Sequence, residues 1–584
     1  MRHSLLQAWP LSRREVLDSF PTEQKGPAAR PLVGGAIVNA TPSAEIRTIS
    51  ITATSGIPRN GRGPFSLQQK TLCDVMASVL SSTRLAEVRV PTLDQPFDRR
   101  FFILGLFLLL FALGTMEGPR GDAYPRFVLT QQILAYGRVH IPELSNPWGF
   151  LKTPSGWTTF SPIGQTLLFI PFETAGKAFE VLFPGSSFRP IPIRYFYCPV
   201  VGVAYFLALM GLLEALGLSS RAAAIASLSF TFSSLIFYYL AMSYQEEAPA
   251  SVLVCLAVRA AVLWRKHHKI EYAFQAGLFG SSLFLFRMNG AAALIPVALF
   301  FAQGLYALGL RSIGARKAIG AALFGALSPA AVHMILAYLR FGNPLSTGYD
   351  QVVSSFLYRP PISETLQSVL NLLVGPGKGL FLYSPLLLIA FWVLWTKWEK
   401  VGLYGVGCLL ALAASVLISV KVLFDWDGCW SWGARYQVHL LPLFAYPAWL
   451  GIADLWERGA GRVIVVTMLG FGLFAQLCSM MGTDRLEHIQ LVNAGTAEPC
   501  PIVRANQFVM RLGNISSVIR TEVTGRGLND RVLVDEFAPF WGVRLARRGS
   551  GWSRTAVTLA WLALFPLAAA CLHRALLHTK PGLD

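Results

Sequence analysis

From Arg100 onward the chain is a succession of apolar runs of roughly 17–23 residues, each separated from the next by a short polar or basic stretch. A helix of that length covers the ~30 Å of a bilayer's hydrocarbon, because each residue advances it by about 1.5 Å. The runs lie near 101–117, 194–217, 222–243, 247–264, 271–288, 289–309, 318–340, 379–396, 401–421, 436–456, 462–482 and 555–576. They predict an all-α, polytopic integral membrane protein with about 12 transmembrane helices. Composition agrees: 53% of residues are hydrophobic and 14% charged, where soluble proteins carry about 25% charge.

The net charge of +18 raises the question of nucleic acid. The bases, however, fall in short clusters between apolar runs and no nucleic-acid-binding motif accompanies them, so no nucleic-acid partner is expected. Arg99-Arg100, Arg221, Arg265–Lys269, Arg311 with Arg316 and Lys317, Lys397 with Lys400, Arg458 with Arg462, and Arg574 all mark one face. The positive-inside rule makes that face cytoplasmic, and an even number of spans leaves both termini there. The other face then receives 116–193, Tyr244–Glu247, 341–378, Asp425–Arg435 and 483–553. Within the first of these, Ser161–Phe183 is apolar enough to span but carries Pro162, Pro171, Glu173 and Lys177. A true span there would invert every later basic cluster, so a helix at or dipping into the outer leaflet is expected.

Residues 1–97 are rich in Arg, Ser, Thr, Pro and Gly and contain no apolar run long enough for a span or a signal peptide. They read as a disordered cytoplasmic extension, or as residues upstream of a true start at Met76. Eight cysteines form no CxxC pair and no ligand spacing. Cys255, Cys408 and Cys571 fall within apolar runs as small core residues, whereas Cys429 and Cys500 fall in outer loops and could pair.

Chemistry concentrates in the outer loops. Met116–Pro142 leaves the first span with Glu117, then Gly121-Asp122-Ala123-Tyr124-Pro125, then a short amphipathic helix over Phe127–Tyr136. Asp122 could act as general base toward an attacking hydroxyl or cap the following helix; spacing does not choose. In Pro376–Pro385, Lys378 stands between two glycines at a helix start, placed either to hold a phosphate or to snorkel at the interface. Asp425-Trp426-Asp427-Gly428-Cys429-Trp430-Ser431-Trp432-Gly433-Ala434-Arg435-Tyr436 combines an aromatic belt with two acids and an Arg able to fork onto phosphate or carboxylate. Glu246-Glu247, Arg287-Met288-Asn289-Gly290, and Arg340 with Asn343, Tyr349 and Asp350 form a fourth group, read as interfacial anchors or structural ion pairs. No compact carboxylate cluster demands a metal, although Asp425 and Asp427 leave a divalent ion open.

Together these elements resemble the GT-C superfamily of membrane glycosyltransferases, in its bacterial protein-O-mannosyltransferase-like and aminoarabinose-transferase-like branch. The resemblance covers roughly 100–480. It rests on the acid after the first span (Gly121–Tyr124), Tyr136-Gly137-Arg138-Val139, Ser161-Pro162-Ile163-Gly164, Gly377–Pro385 and Trp430–Tyr436. One departure is the single Asp122 where an acidic pair is common, with Glu117 five residues earlier. The resemblance implies a catalytic domain over 98–482; the charge pattern and the last apolar run give an outer loop region, 483–553, and a last helix with tail, 554–584.

It further implies transfer of a sugar from a polyprenyl-phosphate donor, with no cofactor, at the outer face of a bacterial plasma membrane. Asp122 would be the base, and Lys378 and Arg435 would meet the donor phosphate. Glu117, Asp425 and Asp427 are possible second acids, and Tyr124, Trp430, Trp432 and Tyr383 possible sugar or acceptor contacts. The acceptor would be a lipid, glycan or protein. A flippase of lipid-linked sugars, or a polymerase or ligase joining lipid-linked glycans, is the competing expectation.

Overall fold

The computed structural model describes residues 97–115, 118–144, 149–185, 189–351, 361–422, 431–482, 487, 490, 507–524 and 540–577. All belong to one compact unit, Gln69–Asp584. The chain is an all-α polytopic membrane protein: among the described residues there are nineteen α-helices, and a single two-stranded hairpin supplies all the sheet. Each of the twelve expected apolar segments is helical. Among the described residues, eight helices are long and apolar enough to cross a membrane: Pro192–Ala215, Glu247–His267, Met288–Leu308, Ile313–Phe341, Trp398–Lys421, Arg435–Trp456, Gly459–Met480 and Gly551–Leu576.

The other four segments are shorter or broken, for local reasons. Arg99–Leu113 and Ile270–Phe286 have 15 and 17 residues. The run expected over 222–243 divides into Ser220–Phe232 and Ile236–Ala241. At the break, Ser233 and Ser234 bond back onto carbonyls of the preceding turn, and Ser384 Oγ accepts from the Leu235 amide at 3.0 Å. The run over 379–396 divides at Ser384-Pro385 into Leu380–Tyr383 and Leu386–Thr396, since proline cannot donate to the helix behind it.

Glu247–His267 is the axis of the bundle. It packs on Tyr197–Ala215, Ile270–Phe286, Leu294–Leu308 and the 3-10 stretch Arg435–Phe444. Buried Ala248, Ala250, Ala257, Ala260 and Ala261 keep its surface slim enough for neighbours on several sides. The first and last helices also lie together. Asp98 N donates to Ala575 O, and Trp561 Nε1 donates to Ala112 O at 2.8 Å. Cys255, Cys408 and Cys571 are buried free thiols, whereas Cys429 and Cys500 lie outside the described residues, as does 1–96.

Ile270–Phe286 and Ile313–Phe341 approach most closely through glycines. A Cβ on Gly325 would meet the Phe274 carbonyl oxygen and lie 3.0 Å from Leu278 N, both backbone atoms that cannot swing aside. Gly325→Val is therefore expected to lower stability by about 1–3 kcal/mol, read as thermal unfolding in detergent. Gly320→Ala, in open space on the same helix, is the matched control and should not lower it.

The helix expected over Phe127–Tyr136 runs from Ala123 to Tyr136 and stops at Gly137 in the left-handed region, φ 63°. The hairpin Phe150–Thr153/Gly156–Thr159 follows. Gly164–Leu182 then fills most of the segment expected at the leaflet surface, with Pro171 inside it. Its Glu173 is buried and takes Arg189 Nη2 at 2.7 Å and Gln131 Nε2 at 3.3 Å. This ties the helix to Ala123–Tyr136.

Candidate active site

Asp122 precedes the helix Ala123–Tyr136 but does not cap it. Its side chain makes no bond to the helix amides. Backbone carbonyls accept from those amides instead, Arg120 O from Ala123 N at 3.1 Å and Gly121 O from Tyr124 N at 3.0 Å, in a turn that Gly121 makes at φ 53°. The capping alternative is thus removed, and the carboxylate is turned toward Arg435, whose Nη1 lies 2.5 Å from Oδ2.

Arg435 opens a 3-10 stretch, one residue after Ala434 and two after Gly433. Gly433 has φ 61°, and a Cβ there would come within 2.9 Å of Leu235. The sharp turn delivers the guanidinium onto the start of Glu247–His267. Its Nε donates to Glu247 Oε1 at 2.5 Å, and its Nη2 lies 3.6 Å from Glu246 Oε1. Arg287, where Ile270–Phe286 ends in extended backbone, donates to the same Glu247 oxygen at 2.7 Å. Arg126, one turn along from Asp122, reaches Glu246 Oε2 at 2.6 Å and Gln165 Oε1 at 3.1 Å. Arg287 and Arg435 also lie over the Tyr436 ring, at 5.1 and 5.9 Å.

Three carboxylates and three guanidinia therefore alternate through one network drawn from four separate segments. All sit at helix ends away from the basic clusters Arg265–Lys269 and Lys397/Lys400. Taking these charges out of water is tolerable only because each is paired with an opposite one. Five are buried, with side-chain exposure of 8% or less; Asp122 is 37% exposed. Partial burial works to raise the Asp122 carboxyl, but Arg435, Arg126 and Arg287 outweigh it and hold the group below the usual carboxylate range. At neutral pH it is an anion. Tyr349 stands near the same network, and burial together with Glu246 pushes its hydroxyl up to about 12.

Lys378 and Arg435 are not brought together on one open surface. Lys378 is buried, and its ammonium donates to the Ser431 carbonyl, so it joins the Gly377–Pro385 element to the Trp430–Tyr436 element. Only a one-turn helix, Leu380–Tyr383, follows it. Tyr383 and Trp432 are fully buried and pack edge to face at 5.0 Å. Tyr383 donates to the carbonyls of Pro376 and Gly377, and Arg511 lies over the Trp432 ring at 5.1 Å. Neither aromatic offers a face to a sugar. Tyr124, beside Asp122, is exposed. We expect Lys378→Ala to remove a charge-assisted bond worth about 1.5–3 kcal/mol and to lower the unfolding temperature. Loss of donor affinity at unchanged stability would instead place Lys378 on the ligand.

Arg340 and Asp350 do not pair. Arg340 donates to Thr158 Oγ1 and to the carbonyls of Thr159 and Ser161, fixing the hairpin. Asp350 takes Ser346 and Thr347 within its own loop. Glu117, Asp425, Asp427 and Trp430 lie outside the described residues. Among the described residues no three His, Cys, Asp or Glu side chains are grouped to hold a metal ion. Sequence reasoning missed Arg126 and gave Glu246, Glu247 and Arg287 too little weight. The available signal was two adjacent acids opening an otherwise apolar span, a placement too costly without buried cations.

No family model matches the chain, and no curated protein matches it. Among solved structures it is similar to the oligosaccharyltransferase of Archaeoglobus fulgidus. Against the apo form the identity is 12%, with a TM-score of 0.34, over 82% of this chain and 56% of that one. Against the form tethered to an acceptor peptide containing the NVT sequon, the values are 13%, 0.35, 69% and 54%. The chain spans about half the length of these neighbours. A likeness this distant leaves the chemistry to the chain's own residues.

Proposed function

We propose that this protein is a glycosyltransferase that moves a sugar from a polyprenyl-phosphate donor to an acceptor hydroxyl, with Asp122 as general base. The observation that carries the reading is a single half-exposed carboxylate seated on a buried cluster of guanidinia. The carboxylate can take a proton, and the cations beside it suit an anionic leaving group.

In the proposed step the acceptor oxygen bonds to the anomeric carbon while the bond from that carbon to the phosphate oxygen breaks. The electron pair leaves with the phosphate, and the hydroxyl proton passes to Asp122. Attack opposite the departing phosphate inverts the anomeric configuration. A phosphate leaves as an anion and needs charge stabilisation rather than a proton, which Arg435 can supply through its planar fork. Tyr124, exposed beside Asp122, is proposed to contact the sugar or the acceptor. The proposed setting is a bacterial plasma membrane with the site outward; the acceptor is a lipid, glycan or protein.

The test is incubation of membranes containing the protein with a panel of labelled polyprenyl-phosphate sugars. Label is expected to leave the polyprenyl fraction and appear in a second product only when the protein is present. Label that crosses the bilayer while still on its polyprenyl carrier would make the protein a flippase and overturn the reading.

A further inference from the structure

Arg435 faces two acids at once, and they differ in kind. Glu247, on its Nε side, is fully buried at the start of the central helix and is also held by Arg287. Asp122, on its Nη1 side, is half-exposed on a loop. A ligand entering from the open side meets the Asp122 contact first and cannot reach the Glu247 contact without dismantling the helix start. Glu247 Oε2 makes no hydrogen bond of its own, whereas Glu246 Oε2 is engaged by Arg126 at 2.6 Å. Glu247 therefore has acceptor capacity in reserve to keep the guanidinium in place if its outer partner changes.

We propose that Arg435 is a shared counter-ion: the donor phosphate displaces Asp122 from its Nη face while Glu247 and Glu246 hold the rest of the guanidinium still. This rests on the proposed donor. Its consequence is that the base is made by the substrate. A carboxylate clamped to an arginine is a poor proton acceptor, because its charge is already satisfied; one released beside an arriving anion is a better one. The groups facing Asp122 are Arg435, Arg126 on its own helix, Arg287, Glu246 and Tyr349. Of these, Arg126 remains on Glu246 and Gln165, and Arg287 on Glu247, so exchange at Arg435 alone changes the balance. Without donor, Asp122 stays paired and weakly basic, which guards the site against idle proton traffic.

The experiment titrates the Asp122 carboxyl by infrared difference spectroscopy in the full chain, with the Asp122→Asn variant assigning the band. The chain is compared alone and saturated with polyprenyl phosphate, and bound lipid is counted by label. The protonation midpoint is expected to rise by about one to three pH units on binding, the range set by losing one close opposite charge. In Arg435→Gln the midpoint should be high from the outset and indifferent to lipid; the wild-type comparison decides the matter even where that variant does not fold. Lipid that binds without raising the midpoint overturns the exchange and leaves the proposed function standing. Lipid that does not bind overturns both.

Discussion

Glu247→Ala should be among the most destabilising substitutions in the chain. One oxygen of Glu247 accepts from Arg435 at 2.5 Å and from Arg287 at 2.7 Å, and the residue is completely buried. Removing the carboxylate leaves two guanidinia without a shared anion, and Arg287 then has no other carboxylate bonded to it among the described residues. Breaking a buried pair in this way costs about 3–5 kcal/mol, against a net stability of about 5–15 kcal/mol for a whole protein. Folded protein after mild heating in detergent should fall severely. Glu247→Gln keeps the shape and one acceptor and should cost less. Exposed Glu399 is the control, where Ala should stay within about 0.5 kcal/mol of the parent. Equal stability of Glu247→Ala and Glu399→Ala would mean the network does not exist as described.

Asp122→Asn separates chemistry from folding. Asn fills the same space and accepts a hydrogen bond but cannot take a proton. Turnover should drop roughly a hundredfold or more, the usual consequence of losing a general base. Folded yield should stay close to the parent, because the side chain is half-exposed and caps nothing. Asp122→Glu should keep part of the activity if the loop absorbs one methylene. Glu117→Gln, five residues earlier, should keep nearly all of it. Turnover of Asp122→Asn within a few-fold of the parent would remove the base assignment.

Much of the fold was legible because hydrocarbon imposes a length on apolar runs and because basic residues gather at one set of their ends. The breaks were less legible. Ser233-Ser234 and Ser384-Pro385 sit inside apolar runs, and composition averages over them; the helices part there because serine hydroxyls and a proline rewrite the local hydrogen bonding. In the site, Asp122 and Arg435 stood out as polar residues in motif-bearing loops. Their partnership across 313 residues of sequence did not, since spacing is silent on which helix ends meet.

The weight given to Lys378, Trp432 and Tyr383 shows the converse. Residues in a motif can serve the loop rather than the ligand, and only burial and hydrogen-bond partners tell the two apart. Glu246 and Glu247 were visible as acids at a span start. What turns them into a site is Arg126 and Arg287, brought in from two other helix ends.

The central claim is that transfer takes place at Asp122, above the arginine network. It is tested most directly in liposomes containing the purified protein, a polyprenyl-phosphate sugar labelled on both sugar and lipid, and the acceptor fraction found with membranes. The account predicts one free polyprenyl phosphate for each sugar transferred in the parent, and loss of both products together in Asp122→Asn while the donor still binds. Sugar transfer that continues in Asp122→Asn, or polyprenyl-linked sugar that changes sides with its bond intact, would contradict it.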